Sequence, residues 1–126
     1  MPESKKGPYD LEGRTFEFAV SVRRILARNT LPPVCWADSE QILRSSGSVG
    51  ANYIEANSSI SHRDKLFRMK IARKEAAESK HWARLLQTTL PTSLVEEMRT
   101  IEQEADELMR ILSAILKKLE AQHPPE

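Results

Sequence analysis

Cysteine, glycine, aromatic side chains and net charge are all scarce in this sequence, and each scarcity excludes something. The single cysteine among 126 residues, Cys35, can form no internal disulfide, which fits a reducing compartment. No histidine neighbours it in Pro32-Pro-Val-Cys-Trp36 to activate the thiol, so it reads as a packed bystander. Four glycines leave little material for a β-rich fold with many tight turns. No apolar run approaches the roughly 20 residues of a membrane span. The opening Met1 to Lys6 has no apolar stretch behind its lysines to act as a signal peptide. A cytoplasmic protein with no membrane partner is expected. With a net charge of +1, no global field draws nucleic acid to the chain.

What is present is a helical protein of one domain. A chain of this length buries about two-thirds of its unfolded surface, enough for a core without staples. Hydrophobic residues make up 40% and charged residues 29%, as in a soluble bundle. Residues 1–9 hold little to bury and read as an arm, 10–121 as the folded unit, and 122–126 as a tail.

The first helix is predicted from a cap at Asp10 to about Asn29, with Leu11, Phe18, Ala19, Val22, Ile25 and Leu26 on one face. Thr30 to Trp36 interrupts it with two prolines. A second helix follows, capped at Asp38 or Ser39 and ending near Asn57. Its interior, Ser45-Ser-Gly-Ser-Val-Gly-Ala51, is costly, since each glycine loses about 1 kcal/mol relative to alanine. Close approach of a neighbouring helix is the simplest compensation. A phosphate loop is the sharper alternative, but no Gly-Lys-Ser/Thr follows and no strand precedes.

The third helix is predicted from a Ser61 cap to Thr89, about 43 Å at 1.5 Å per residue. Met69, Ala72, Ala76, Ser79, Ala83, Leu86 and Leu90 form one stripe and Ile71, Glu75, Glu78, Trp82 and Leu85 a second, so two packing surfaces are expected. The fourth helix restarts at Thr92 or Ser93. It carries Leu94, Met98, Ile101, Ala105, Leu108, Leu112, Ile115 and Leu119 as a heptad seam. Short turns between four helices imply an all-α, antiparallel up-down-up-down four-helix bundle.

Charge is uneven along the chain. Ser61 to Thr89 has eight Lys/Arg against three acids, whereas Thr92 to Ala121 has four against seven. Such signs on successive helices complement one another within the fold or between subunits, or else mark one face for a polyanion. Arg63, Lys65, Arg68, Lys70, Arg73, Lys74 and Arg84 are the candidate phosphate contacts. Trp82 beside His81 and Arg84 could stack on bases, although an aromatic at helical spacing is more often core.

Arg44, Ser48, Asn52 and Glu55 line one face of the second helix. A turn near Ser59 brings Arg44 level with about Lys74, so Glu75 or Glu78 could meet it. Buried pairing inside a bundle would make Arg44 expensive to remove. A structural polar network of these six residues fits better than an acid/base site, because no nucleophile, histidine base or phosphate loop joins it. Glu78-Ser-Lys-His81 and Glu120-Ala-Gln-His123 share the Glu-x-x-His pattern of dimetal bundles. A turn near Pro91, however, leaves Glu120 about 24 Å too far along the helix. No metal, cofactor or catalysis is expected.

The run Arg44-Ser-Ser-Gly-Ser48-Val-Gly-Ala-Asn52-Tyr-Ile-Glu55-Ala-Asn57, with Ser61, Phe67, Ala72, Glu75 and Glu78, resembles the proteins encoded in intervening sequences of bacterial 23S rRNA genes. That signature runs approximately Arg-Ala-x-x-Ser-Ile-x-x-Asn-Ile-Ala-Glu-Gly, and Asp10 to Ala19 is similar to the family's first helix. The resemblance spans about residues 10–90. It departs at Asn57, where the family carries glycine, and at Lys74-Glu75, where it carries Gly-Ser. It implies a homopentamer of four-helix bundles. Relatives that assist diversity-generating retroelements bind nucleic acid through a basic surface. Two functions follow as expectations: RNA or DNA binding through the basic third helix, or a protein-interaction scaffold in which that face meets the acidic fourth helix of the next subunit.

Overall fold

The computed structural model describes residues 10–27 and 30–122. Among these, four helices follow in order: α1 (Leu11–Ala27), α2 (Trp36–Asn57), α3 (His62–Thr89) and α4 (Thr92–Gln122). One 3₁₀ turn, Pro33–Cys35, precedes α2, and no strand occurs among the described residues. The arm expected over residues 1–9, the predicted end of the first helix at Arg28 and Asn29, and residues 123–126 of the tail lie outside the described residues.

Local chemistry sets the helix starts. Asp10 Oδ1 accepts from the Gly13 N–H at 3.1 Å, and Ser61 Oγ accepts from the Asp64 N–H at 3.0 Å, so two expected caps form. The start of α2 differs from expectation: it begins at Trp36, ahead of Asp38 and Ser39, and no side chain caps it. The 3₁₀ turn already winds Cys35 into helical geometry (φ −87°, ψ −11°), so α2 grows from a preformed turn.

α3 packs on both α2 and α4, and α1 closes the other side with smaller contacts to the same two helices. α1 is therefore diagonal to α3. The small stripe Met69, Ala72, Ala76, Ser79, Ala83 and Leu86 is buried along its whole length, facing a core of Phe18, Val22, Ile42, Val49, Met98, Leu108 and Leu112. On α4 the heptad seam holds from Leu94 to Leu112, after which Leu116 is buried while Ile115 and Leu119 are only half-buried. A straight helix has 3.6 residues per turn and drifts off a strict seven-residue repeat.

Register between α3 and α4 is visible in three ion pairs: Lys70–Glu120 at 3.9 Å, Lys80–Asp106 at 2.9 Å and Arg84–Glu102 at 3.8 Å. Numbers rise along α3 as they fall along α4. The opposite charges of these two helices thus meet inside one chain. No helix among the described residues is long and apolar enough to cross a membrane.

The glycines of α2 have a steric reason. A Cβ on Gly50 would lie 2.9 Å from Thr15 Oγ1 and 3.3 Å from Thr15 Cβ, and one on Gly47 would lie 3.1 Å from the Arg23 guanidinium. α1 thus rides directly on the backbone of α2. Arg23 locks the approach by donating to Ser46 Oγ at 3.2 Å and to the Leu43 carbonyl at 2.9 Å. Gly50→Ala should destabilise the bundle by about 1–2 kcal/mol in urea unfolding despite its better helix propensity, because overpacking outweighs the propensity gain. Adding Thr15→Ala to that variant should recover most of the loss.

Candidate functional site

The basic candidates divide by partner. Arg68 Nε is 3.9 Å from Glu55 and its guanidinium donates to Asn52 Oδ1 at 3.4 Å, while Lys70 and Arg84 reach Glu120 and Glu102 on α4. The side chains of Arg63, Lys65, Arg73 and Lys74 hold no ion pair or hydrogen bond among the described residues. Uncompensated charge therefore collects on the N-terminal half of α3. The Lys70 and Arg68 pairs are long and solvent-exposed, so each is worth little and its cation stays available to a ligand.

The pairs of α4 with the rest of the bundle are tighter. Arg14 grips Glu104 with two bonds, at 2.7 and 3.0 Å, which raises the Arg14 pKa. Asp106 accepts from Arg110 at 2.8 Å and Lys80 at 2.9 Å, and these bonds hold its carboxyl below the usual aspartate range. A groove of about 640 Å³ runs between α1 and α4, lined by Arg14, Phe18, Ser21, Ile101 and Glu104 among others. Its lining holds four acids, Asp10, Glu17, Glu97 and Glu104, against Arg14 and Arg24, so it offers no site for a polyanion.

Register brings the α2 row beside the second stripe of α3, although not as a closed network. Ser45 and Ser79 Oγ share a fully buried hydrogen bond of 2.8 Å, so Arg44 falls level with the turn at Ser79 and Lys80 rather than with Lys74. The structure does not pair Arg44 with a carboxylate. It is exposed and donates to Gln41 Oε1 at 2.8 Å, one turn back on its own helix. Ser48 is half-buried, and its carbonyl accepts from Asn52. Glu78 is half-buried, whereas Glu75 is only 7% exposed and its Oε1 has no hydrogen-bond partner. Desolvation, followed by the neighbouring Glu78, raises the Glu75 pKa above the ordinary glutamate value of 4.5, and Arg44 and Lys74 oppose this only by their fields.

His81 is exposed, its ring edge-to-face with the half-buried Trp82 at 4.9 Å, so Trp82 is largely committed to packing. Glu120, which pairs with Lys70, lies about 12 Å along the bundle from Glu78. That is nearer than the turn at Pro91 implied, because α3 and α4 pair about a register centred beyond that proline. Among the described residues no group of three or more His, Cys, Asp or Glu could hold a metal, and His123 lies outside them.

Sequence reasoning missed the exposure of Phe67. Its ring is 58% exposed, with the Arg68 guanidinium carbon 5.8 Å from the centroid. The signal was available, since Phe67 falls on neither stripe of α3.

A family model described as 23S rRNA-intervening sequence protein matches residues 13–114. The match extends through most of α4, beyond the span of the resemblance seen in sequence. Among solved structures, a protein with unknown function from the S23 ribosomal protein family of Bacteroides thetaiotaomicron is similar at 30% identity, covering 84% of this chain and 94% of that one, with a TM-score of 0.70. No curated protein is significantly similar.

Two stability outcomes follow from this geometry. Arg44→Ala should cost less than about 1 kcal/mol in urea unfolding, as expected of an exposed arginine. Glu75 has a raised folded pKa, so its contribution is favourable below the unfolded glutamate range and is lost as pH rises through its folded value. Glu75→Gln should therefore raise the urea midpoint relative to wild type at neutral pH. The advantage should shrink as pH falls through the raised folded pKa and be gone below about 4.5.

Proposed function

This chain belongs to the 23S rRNA-intervening sequence protein family, and from that premise we propose that it is a non-enzymatic, antiparallel four-helix bundle that binds RNA or DNA through phosphate contacts on α3. One observation carries the reading: after internal pairing is counted, Arg63, Lys65, Arg73 and Lys74 remain without acidic partners on one end of one helix. Uncompensated cations held on a rigid helix are the footprint that polyphosphate backbones select. The opposed numbering of the α3–α4 ion pairs supports the antiparallel arrangement. Cytoplasmic residence is part of the proposal, and the buried free thiol of Cys35 suits a reducing compartment.

Self-association, with the pentamer that the resemblance implies, is the second reading. Exposed Phe16, Trp36 and Ile54 favour it, since large apolar side chains in water are natural subunit contacts. Its electrostatic form is weakened, because three of the seven acids of α4, Glu102, Asp106 and Glu120, already meet α3 in their own chain. A bundle that self-associates through apolar contacts and binds polyanion through α3 accommodates both readings.

Binding of a labelled structured RNA and a labelled duplex DNA should weaken steeply with salt, on protein whose native mass is known. Arg63→Glu and Lys74→Glu should each lower affinity for both, reducing the log–log salt slope by about 1 per neutralised contact. No binding at low salt by the wild type would remove the nucleic-acid reading. Loss of native mass in these variants with unchanged binding would support the scaffold.

A further inference from the structure

Phe67 stands where the bundle has no use for it. Arg63, Phe67, Lys70 and Lys74, at steps of four, three and four, form one exposed row on α3. Between His62 and Lys74 six cations accompany a single acid, Asp64. A ring in the middle of such a row has a free π-face surrounded by phosphate-seeking charges. The Arg68 guanidinium carbon lies 5.8 Å from the ring centroid, and only long contacts of 3.4 and 3.9 Å tie Arg68 to Asn52 and Glu55 of α2. The ring is held by its place within the α3 helix, not left on a mobile tip.

We infer that Phe67 is a stacking platform for an unpaired base, so that the preferred ligand of this face is single-stranded RNA or DNA with its phosphates on Arg63, Lys70 and Lys74. The inference rests on the nucleic-acid reading above and narrows it. A duplex keeps its base faces stacked and offers the ring nothing, whereas a single strand can turn bases outward while its backbone follows the cations. Ile60, fully exposed at the α2–α3 turn, lies three residues before the start of the row. A lipid surface is the poorer occupant, because it requires a continuous apolar helix face and here cations interrupt the row on both sides of the ring.

The test measures anisotropy of labelled oligouridylate, oligothymidylate and a duplex with wild type, Phe67→Ala, Phe67→Trp and Lys74→Glu, each checked for native mass and urea midpoint. The wild type should favour the single strands. Phe67→Ala should weaken single-strand binding roughly 5- to 150-fold, the effect of losing one stacked base, while leaving duplex affinity and the salt slope unchanged. Phe67→Trp should retain binding, and Lys74→Glu should weaken both ligands. An unchanged single-strand affinity in Phe67→Ala, or an equal loss on the duplex, overturns the platform while leaving phosphate binding intact. Loss of native mass without loss of oligonucleotide binding would instead assign the ring to a contact between copies. Dependence on Phe67 of binding to phosphatidylserine vesicles, but not to oligonucleotides, would assign it to a membrane. Failure of the wild type to bind either nucleic acid at low salt removes the parent reading itself.

Discussion

Everything else in this bundle depends on how closely α2 and α3 approach through small side chains. Ala72, Ala76, Ser79 and Ala83 on one helix and Ser45, Ser46 and Val49 on the other are buried, and the Ser45–Ser79 hydrogen bond of 2.8 Å sets their register. A dry bond between two hydroxyls tolerates no sliding, since a slip would strand both groups without partners. That register places Asn52 and Glu55 beside Arg68, and Glu75 within the field of Arg44. The glycines of α2 extend the same economy of volume to its other side, where Thr15 of α1 meets Gly50. α2 is thus thin on two faces, and the bundle closes around it.

Electrostatics then divides the surface. The cations on the C-terminal half of α3, Lys80 and Arg84, are consumed by Asp106 and Glu102 where α3 and α4 pack together, which leaves the N-terminal half of α3 as a local positive surface on a chain of net charge +1. A total charge near zero therefore conceals a patch of one sign. Solvent-exposed charges further apart than about 8–10 Å are largely screened at physiological salt, so a ligand senses this patch rather than the sum.

Much of this was legible in the sequence. Two of the caps, the small stripe of α3 and the need for close approach at Gly47 and Gly50 all follow from local rules of propensity, spacing and excluded volume. Three readings were not legible, for physical reasons. Helix α2 began early because the 3₁₀ turn at Pro33–Cys35 supplies a start that cap rules do not describe. The α4 seam moved from Ile115 to Leu116 because a straight helix leaves a seven-residue repeat. Arg44 turned to Gln41 rather than to Glu75, a choice of rotamer and local partner that spacing along a helix cannot express.

Sequence by itself determined that four amphipathic helices form, where their apolar faces lie and that opposite charges concentrate on the last two, because those properties are periodic and local. Only the tertiary structure decided which charges are spent and which remain, and that Glu75 is buried without a partner while Phe67 stands in solvent. Those outcomes depend on register and rotation between helices, which are set by contacts far apart in the chain. The functional surface is the remainder after those contacts are made.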